Sequence, residues 1–311
     1  MRYRSCGPLT PQASVIGFGA WQLGNDADWG PMNREDAIQL VRQAVADGCT
    51  FFDTAPGYGR GLSEELLGAA LEGYRERVLV NTKVGHSADG RSDFSPDAIR
   101  RSLDESLQRL RTTYIDSVIL HNPPSDQLVG DSPAMRALAR LQEEGVIRAY
   151  GASVDSADDM ETVMRTSQSQ VLEVLFNIFF QETGRAFGEA MRRGVGLVVK
   201  VPFDSGWLAG RYNAATRFPG VRSRWTPAVI ARRASLVEDI RFIEADGVPM
   251  TQGALAFILA HRAVSTVIPG VRTLAQWQDS WAAADQDMPA DTVDRLHRFW
   301  AARLEHDPLP W

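Results

Sequence analysis

Four residues whose side chains can move protons end or closely follow short apolar runs of the sequence. Asp53, Lys83 and His121 each end such a run, and Tyr58 follows Asp53 in the segment Thr-Ala-Pro-Gly-Tyr-Gly. An ammonium near a phenol favours the phenolate and would lower a tyrosine pKa that is normally about 10. A carboxylate could hold that lysine in place, and a histidine could donate a hydrogen bond to a carbonyl oxygen. The combination predicts an acid–base device that acts on a carbonyl compound.

Each of these four residue types also has an ordinary structural role. An aspartate at a strand end often caps a helix, lysine and histidine are often solvated, and a loop tyrosine often only packs. Their occurrence at or near the ends of three consecutive predicted strands favours catalysis. The reason is that the carboxyl ends of parallel strands in a barrel face one functional mouth.

The elements that must position these residues are eight short β-branched or apolar runs, which alternate with stretches of helical apolar spacing. The runs are residues 14–18, 50–53, 78–83, 117–121, 149–153, 171–175, 196–201 and 264–268. Helical spacing is clear over 33–47, 96–109 and 157–167. Eight such units predict an α/β fold, the (β/α)8 TIM barrel. A doubly wound sheet is less well supported, because Gly-Phe-Gly-Ala-Trp at 17–21 does not complete a Gly-x-Gly-x-x-Gly turn.

The predicted domain organisation is a single barrel domain over residues 1–311. No Ser/Gly tract, charge block or strong short-period repeat interrupts the chain. The first residues are expected to form a small cap under the barrel. Residues 202–227 are predicted to be a loop, and 228–246 an extra helix before the last strand.

Composition excludes several classes of protein. The chain has 311 residues, 44% of them hydrophobic, and a net charge of −6. This content excludes a disordered chain, and no stretch approaches the roughly 20 apolar residues of a membrane helix. The N-terminus lacks the apolar core of a secretory signal, so we expect a cytoplasmic protein with no membrane partner. The acidic balance argues against a nucleic-acid partner.

Cysteine and histidine spacing argues against a metal site. Cys6 and Cys49 lack metal-binding spacing and are expected to be reduced thiols. Strand-end Asp and His residues also build the metal sites of barrel hydrolases, but no His-x-His follows an early strand. Lys83 would also place a positive charge where the cation should lie. We therefore expect no metal, and the sequence leaves the oligomeric state open.

Several stretches resemble the aldo-keto reductase superfamily, and the likeness extends along nearly the whole chain. Phe-Phe-Asp-Thr-Ala-Pro-Gly-Tyr-Gly at 51–59, followed by Ser-Glu-Glu-Leu-Leu-Gly at 63–68, resembles the stretch that bears the family's catalytic aspartate and tyrosine. Asn-Thr-Lys at 81–83 is similar to its lysine strand. Residues 101–121, which include Arg-Ser-Leu, Tyr-Ile-Asp and Leu-His, are similar to its helix and histidine strand.

The resemblance implies a (β/α)8 barrel that binds a nicotinamide cofactor without a Rossmann fold. On this analogy Tyr58 is the proton donor, Lys83 and Asp53 tune it, and His121 orients the substrate. The expected function is NADPH-dependent reduction of a small aldehyde, a ketone or the keto group of a sugar. Two alternatives stay open: the reverse reaction of an NAD(P)-linked alcohol or aldose dehydrogenase, and a cofactor-sensing regulatory subunit like the potassium-channel β-subunits.

The residues implied to hold the nicotinamide depart from the family's pattern. Ser153 keeps the serine that would meet the carboxamide, but Val154 follows it where an asparagine is usual. Glu173 stands where a glutamine commonly holds that carboxamide, and a glutamate could accept from the amide NH2 group but could not donate to its oxygen. Lys200 stands where an aromatic residue often stacks on the nicotinamide.

Two further segments resemble the parts of the family that hold the rest of the cofactor. Residues 201–212 are similar to the loop whose backbone N–H groups contact the pyrophosphate, and 267–273 to the segment at the adenosine half. The cofactor-binding residues expected there are Phe203, Gly206, Leu208, Gly270, Arg272, Gln276 and Ser280. Arg272 can offer a planar fork of donors to a 2′-phosphate, which favours NADPH. NADH stays an alternative, because Gln276 replaces a second arginine and Asp279 could accept from a free ribose hydroxyl.

Aromatic and polar residues after the strands are expected to line the substrate pocket. They are Trp21, Trp29, His86 and Asn122, with Trp207 as a further candidate. Each tryptophan could instead pack between helix and loop. The tail, residues 299–311, could cover the mouth of the barrel or pack against the outer helices.

Overall fold

The computed structural model describes residues 2–218 and 220–310, and the chain begins with a short antiparallel hairpin. Its strands are β1 (Tyr3–Arg4) and β2 (Ala13–Ser14). Cys6 and Leu9, in the connection between them, are buried in one cluster with Phe51 of a later strand. The hairpin therefore covers the amino end of the main sheet, which confirms the predicted N-terminal cap.

The main sheet consists of parallel strands. Within the described residues these are β3 (Phe18–Gly19), β4 (Phe51–Asp53), β5 (Leu79–Val84), β6 (Ile115–His121), β7 (Ile147–Val154), β8 (Val171–Leu175), β9 (Gly196–Lys200) and β10 (Val264–Val267). Each pairs with its neighbour in chain order. Parallel bridges join Ile16 to Val267 and Gly19 to Gly270, and so bring the first strand to the last. The sheet is the predicted (β/α)8 barrel.

Helices surround the strands and bury their apolar faces against them. They are α1 (Asp26–Trp29), α2 (Arg34–Ala46), α3 (Leu62–Ala70), α4 (Pro96–Leu110), α5 (Pro133–Glu143), α6 (Ala157–Thr166), α7 (Phe187–Arg193), α8 (Pro227–Asp239), α9 (Met250–Leu259), α10 (Leu274–Ala282) and α11 (Ala290–Arg303). Local signals set their starts: Ser95 caps α4 by accepting from the Ala98 N–H at 3.4 Å. None of the helices in the described residues is long and apolar enough to cross a bilayer.

The first predicted strand, 14–18, is divided between two sheets. Ser14 ends β2, whereas Phe18 begins β3. The backbone changes partners between them: the Val15 N–H donates to Arg2 O at 3.1 Å and the Gly17 N–H to Val267 O at 2.8 Å. The sequence does not reveal this change of hydrogen-bond partner, because the residues of the run are buried in both sheets.

The predicted extra helix, 228–246, is present but ends early. It is α8, after which a 3-10 segment spans Arg241–Gly247. Ile240 leaves helical geometry at φ −103° and ψ 5°, and this turn lets both Ile240 and Ile243 reach the core. The predicted loop before it, 202–227, contains short 3-10 segments of its own.

Candidate active site

A cavity of about 1060 Å³ opens at the carboxyl ends of the barrel strands. It is larger than a small carbonyl compound needs and has room for a cofactor as well. Of the residues expected from the sequence, those lining it are Trp21, Trp29, Asp53, Tyr58, His121, Asn122, Glu173, Lys200, Phe203, Gly206, Gly270, Arg272, Gln276 and Ser280. Lys83, His86, Ser153 and Leu208 lie outside the lining.

Strand register brings the polar side chains to one rim. Asp53 at the end of β4 pairs with Asn81 of β5. His121 at the end of β6 pairs with Ser153 of β7, and Ser153 pairs in turn with Glu173 of β8. Because neighbouring parallel strands end at similar heights, residues far apart in sequence meet here.

Tyr58 lies in the tight turn that follows β4. Gly59 has φ 55°, and a Cβ there would lie 2.5 Å from Gly24 O, so the turn requires glycine to pass that carbonyl. The Tyr58 ring centroid lies 6.0 Å from that of His121 and 6.3 Å from that of Trp21. The turn thus places the phenol between the histidine and the aromatic wall of the cavity.

The Lys83 ammonium lies beneath the Tyr58 ring in a fully buried cluster of charges. Its Nζ is 2.6 Å and 2.7 Å from the two carboxylate oxygens of Asp53, and 5.1 Å from the Tyr58 ring centroid. A second carboxylate oxygen, Glu173 Oε2, lies 3.2 Å from the same nitrogen. Asn81 Nδ2 donates to Asp53 Oδ1 at 2.7 Å and so fixes that carboxylate from its other side. Lys83 is therefore held rigidly between two acids.

The cluster's charges shift one another's proton affinities. Burial raises the pKa of Asp53 to about 7; the Glu173 charge adds to the effect and the Lys83 charge opposes it. Burial alone would lower the pKa of Lys83, but attraction to Asp53 and Glu173 outweighs it, and the pKa rises. Lys83 therefore stays an ammonium at neutral pH, and Asp53 is the group whose protonation changes near pH 7.

The prediction that the tyrosine pKa is lowered is wrong. Burial of the hydroxyl raises the pKa of Tyr58 well above its ordinary value. The Lys83 charge lowers it in part, but Asp53 and Glu173 oppose that effect. Tyr58 is accordingly a neutral phenol at neutral pH, which suits a proton donor better than a base.

His121 faces the cavity as a neutral imidazole. Burial lowers its pKa well below the ordinary value, and the nearby charges of Lys83 and Lys200 lower it further. Its Nδ1 is buried and has no hydrogen-bond partner within the described residues. A neutral imidazole carries one N–H, which is enough to donate to a carbonyl oxygen in the cavity.

The Lys200 ammonium contacts three polar side chains near His121. Its Nζ lies 2.8 Å from Asn122 Oδ1, 2.8 Å from Ser153 Oγ and 2.9 Å from Asp155 Oδ1. The Ser153 hydroxyl is fully buried and donates to Asn122 Oδ1 at 2.9 Å. Ser153 therefore lies behind the lining, and Lys200 and Asn122 present the polar surface.

Trp21 and Trp29 form the aromatic wall. Their ring centroids are 5.3 Å apart in an edge-to-face arrangement. Arg222, from the loop after β9, lies over the Trp29 ring at 4.2 Å from its centroid. This arginine lines the cavity and was missed from the sequence, because no motif marks it within a long loop.

Two expected pocket residues lie elsewhere. Trp207 is fully buried and packs on Tyr212, with ring centroids 5.5 Å apart, so its proposed place on the rim is wrong. An indole this large is stabilised most by the apolar interior. His86 touches the outer side of His121, with ring centroids 5.2 Å apart, and its Nδ1 pairs with Ser92 Oγ at 2.7 Å.

The loop after β9 carries unusual backbone conformations. Asp204 and Ser205 have φ 45° and 57°, and Gly206 follows with φ 102°. Non-glycine residues in this region cost free energy and are often found at functional sites. A buried ion pair between Asp204 and Arg233, 2.8 Å long, holds the loop in this shape. Gly206 lines the cavity with its backbone.

Arg272 also lines the cavity. Its Nη2 donates to Gly30 O at 3.1 Å and Pro31 O at 2.9 Å, while its backbone N–H donates to Gln276 Oε1 at 2.8 Å. Asp279, the alternative ribose partner, accepts hydrogen bonds from Thr251 and Gln252.

The lining also fits a large polar ligand. The cavity side chains of Gln22, Arg222 and Arg272 each bear a buried polar atom that has no hydrogen-bond partner within the described residues. Such atoms are costly to bury unless a ligand or water satisfies them. Gln22 was also not among the residues predicted to line the cavity. Its position directly after Trp21, a predicted pocket residue, is the signal that could have identified it.

The C-terminal tail packs away from the cavity. Arg233 Nη2 donates to Pro310 O at 2.8 Å, and Leu309 is buried. None of residues 299–310 lines the cavity; Trp311 lies outside the described residues.

The chain matches the Aldo/keto reductase family model over residues 15–301. It is 29% identical to the L-galactose dehydrogenase of Arabidopsis thaliana over 294 residues, which cover 91% of this chain and 88% of that protein. It is 28% identical to the NADH-specific methylglyoxal reductase of Escherichia coli over 320 residues, which cover 94% and 96%. The holo form of an aldo-keto reductase from Bacillus halodurans is similar in structure, with a TM-score of 0.81, 26% identity and 96% of both chains covered. This chain belongs to the aldo/keto reductase family and is an NAD(P)H-dependent oxidoreductase.

Proposed function

We propose that the protein reduces an aldehyde or ketone, either a small carbonyl compound or a keto sugar, with NADPH as hydride donor and Tyr58 as proton donor. The observation that carries the proposal is the pair of Tyr58 and His121, which face one cavity with the Lys83–Asp53 pair behind the phenol. A neutral phenol can give its proton to the oxygen of a carbonyl as that oxygen gains charge. The neutral His121 can hold the same oxygen by a hydrogen bond.

The proposed cofactor contacts come from several parts of the cavity lining. Asn122, Lys200 and Glu173 offer polar atoms near Tyr58, and the strained loop around Gly206 offers backbone N–H groups. Arg272 offers a guanidinium for a 2′-phosphate. When bound, the nicotinamide supplies the hydride, and the residues described here orient the carbonyl and deliver the proton.

The aromatic wall supports a substrate with a flat or apolar part beside the carbonyl. Trp21 and Trp29 provide that surface, and Arg222 adds positive charge over the Trp29 ring, while the Lys200 ammonium that lines the same cavity is paired with Asp155. Methylglyoxal and a sugar are named in the relatives' descriptions. Methylglyoxal is a small carbonyl compound, and a sugar in its open-chain form carries a carbonyl group. The cavity has room for either beside a cofactor.

The test is the oxidation of NADPH, followed by its absorbance, with a panel of nitrobenzaldehyde, methylglyoxal, pyridoxal and keto sugars. We expect turnover that depends on at least one of these carbonyl compounds. Tight NADPH binding without turnover on any member of the panel, and with no reverse reaction on alcohols or aldoses, would instead indicate a cofactor-sensing regulatory subunit.

A further inference from the structure

Glu173 differs from the other polar residues of the cavity in how little its charge is compensated. Its side chain is 3% exposed, lines the cavity, and reaches Lys83 Nζ at 3.2 Å through Oε2. Oε1 lies 3.4 Å from the Ser153 hydroxyl. Oε2 accepts no hydrogen bond within the described residues. Asp53, in contrast, accepts from both Lys83 and Asn81.

The charges around Glu173 do not cancel. Lys83 supplies one positive charge between two carboxylates, those of Asp53 and Glu173. The neighbouring ammonium, Lys200, is already paired with Asp155 at 2.9 Å.

The two titratable rings that face the cluster add no charge. Tyr58 and His121 are both held neutral by burial. When both carboxylates are ionised, the inner end of the cavity therefore carries one uncompensated negative charge.

We infer that Glu173 makes this end of the cavity favour an oxidised, cationic nicotinamide over a reduced, neutral one. The inference rests on the proposed function, because it takes a nicotinamide to occupy the cavity beside Tyr58. A carboxylate attracts a positive ring across a few ångströms of protein but has no net charge to attract in a neutral ring. Only such a differential interaction can shift the balance between two bound forms. At an effective dielectric constant of about 20, the attraction between unit charges up to about 10 Å apart corresponds to about tenfold in affinity or more.

The same charge has a consequence for the reaction. When the oxidised form binds more tightly than the reduced form, the reduced cofactor in the site is a stronger hydride donor than it is in water. Hydride transfer to the carbonyl is then favoured on the protein, and the release of the oxidised cofactor is slowed. A glutamine at this position would provide hydrogen bonds without this bias.

The preference should strengthen as the pH rises. Burial and the neighbouring Glu173 charge raise the pKa of Asp53 to about 7. At lower pH Asp53 is protonated, which cancels the extra negative charge. Between pH 6 and pH 8.5 that proton is lost, so the oxidised cofactor gains affinity while the reduced cofactor changes little.

The experiment is isothermal titration of the whole protein with NADP+ and with NADPH, at pH 6 and pH 8.5, for wild type and Glu173→Gln. Glu64→Gln is the control: Glu64 is a buried carboxylate that pairs with Arg109 at 2.7 Å and lies outside the cavity lining. At pH 8.5 we expect the ratio of the NADPH Kd to the NADP+ Kd to fall about tenfold or more in Glu173→Gln and to stay at the wild-type value in Glu64→Gln. In wild type the ratio should rise with pH; in Glu173→Gln it should rise less.

A second measurement needs no variant. Titration of wild type at pH 7 in buffers of different ionisation enthalpy should show proton release on binding NADP+ and little on binding NADPH. Equal changes in both affinities on Glu173→Gln, or equal proton release with both cofactors, would overturn the inference and leave the proposed function intact. Failure of wild type to bind either cofactor would overturn the proposed function itself.

Discussion

Replacing Lys83 by methionine removes the ammonium that contacts both Asp53 and Glu173 while keeping most of the side chain's volume. Two buried carboxylates are then left without that counter-charge. Removing one partner of a buried ion pair typically costs about 3–5 kcal/mol, because the remaining charge is stranded in a poorly solvated site. We expect Lys83→Met to lose about that much unfolding free energy at pH 8.5.

The loss should be smaller at low pH. Without Lys83, the folded-state pKa of Asp53 rises further above its unfolded value of about 4, because the Lys83 charge no longer opposes the effect of burial. Groups with a raised folded pKa stabilise the fold below the unfolded pKa and lose that contribution as pH rises through the folded pKa. Each pH unit of such a shift is worth about 1.4 kcal/mol per proton, so we expect a loss of only about 1–2 kcal/mol at pH 6.

The assay is guanidinium unfolding followed by tryptophan fluorescence, for which the chain has eight tryptophans. Lys200→Met is the matched control, because Lys83 and Lys200 are the only lysines of the sequence and Lys200 pairs with an Asp155 side chain that is 51% exposed. It should cost less than Lys83→Met at pH 8.5, because the half-exposed Asp155 carboxylate is solvated when its partner is removed. The double variant Asp53→Asn/Lys83→Met should recover part of the stability but none of the turnover. Equal losses for the two lysines, or a Lys83→Met loss that does not change with pH, would refute this account of the cluster.

Two further substitutions separate the roles of the remaining groups. His121→Ala should lower kcat more than it weakens cofactor binding, because the imidazole is assigned to the substrate oxygen; a fluorescence titration in which cofactor affinity collapses while kcat holds would contradict that role. Arg272→Ala should lower kcat/KM for NADPH about ten- to a hundredfold relative to NADH, since one charge-assisted hydrogen bond is worth about 1.5–3 kcal/mol. Part of the loss should be common to both cofactors, because Arg272 also holds the Gly30 and Pro31 carbonyls. An unchanged ratio of the two kcat/KM values would make Arg272 a purely structural residue.

The parts of the site that could be predicted from sequence follow from the geometry of parallel strands. Asp53 and His121 end strands at one rim, and Tyr58 lies in the turn beyond Asp53. Strand-end position is a local property of the sequence, so these residues could be placed together before their distances were known.

Other features depend on contacts across the barrel that no local pattern encodes. Lys83 on β5 and Glu173 on β8 are separated by two strands, β6 and β7, and meet only through the barrel interior. The direction of the Tyr58 pKa depends on the balance of burial against three nearby charges, and sequence supplies only the charges. Arg222, for which the sequence predicts no role, lines the cavity, whereas Trp207, which was expected on the rim, is buried. The path of a long loop decides which of its side chains reaches the cavity.

The most direct test of the central claim compares Tyr58→Phe with Tyr114→Phe in NADPH-dependent reduction of the best carbonyl compound of the panel. Both changes remove one phenolic hydroxyl, but Tyr114 lies at the amino end of β6, where its ring packs between Arg75 and Arg148 at 4.1 Å from each. A positioned general acid is worth about 10²–10⁴ in rate. We expect Tyr58→Phe to lose that factor in kcat while it binds NADPH with wild-type affinity, and Tyr114→Phe to turn over normally. Comparable kcat in wild type and Tyr58→Phe would show that another group delivers the proton.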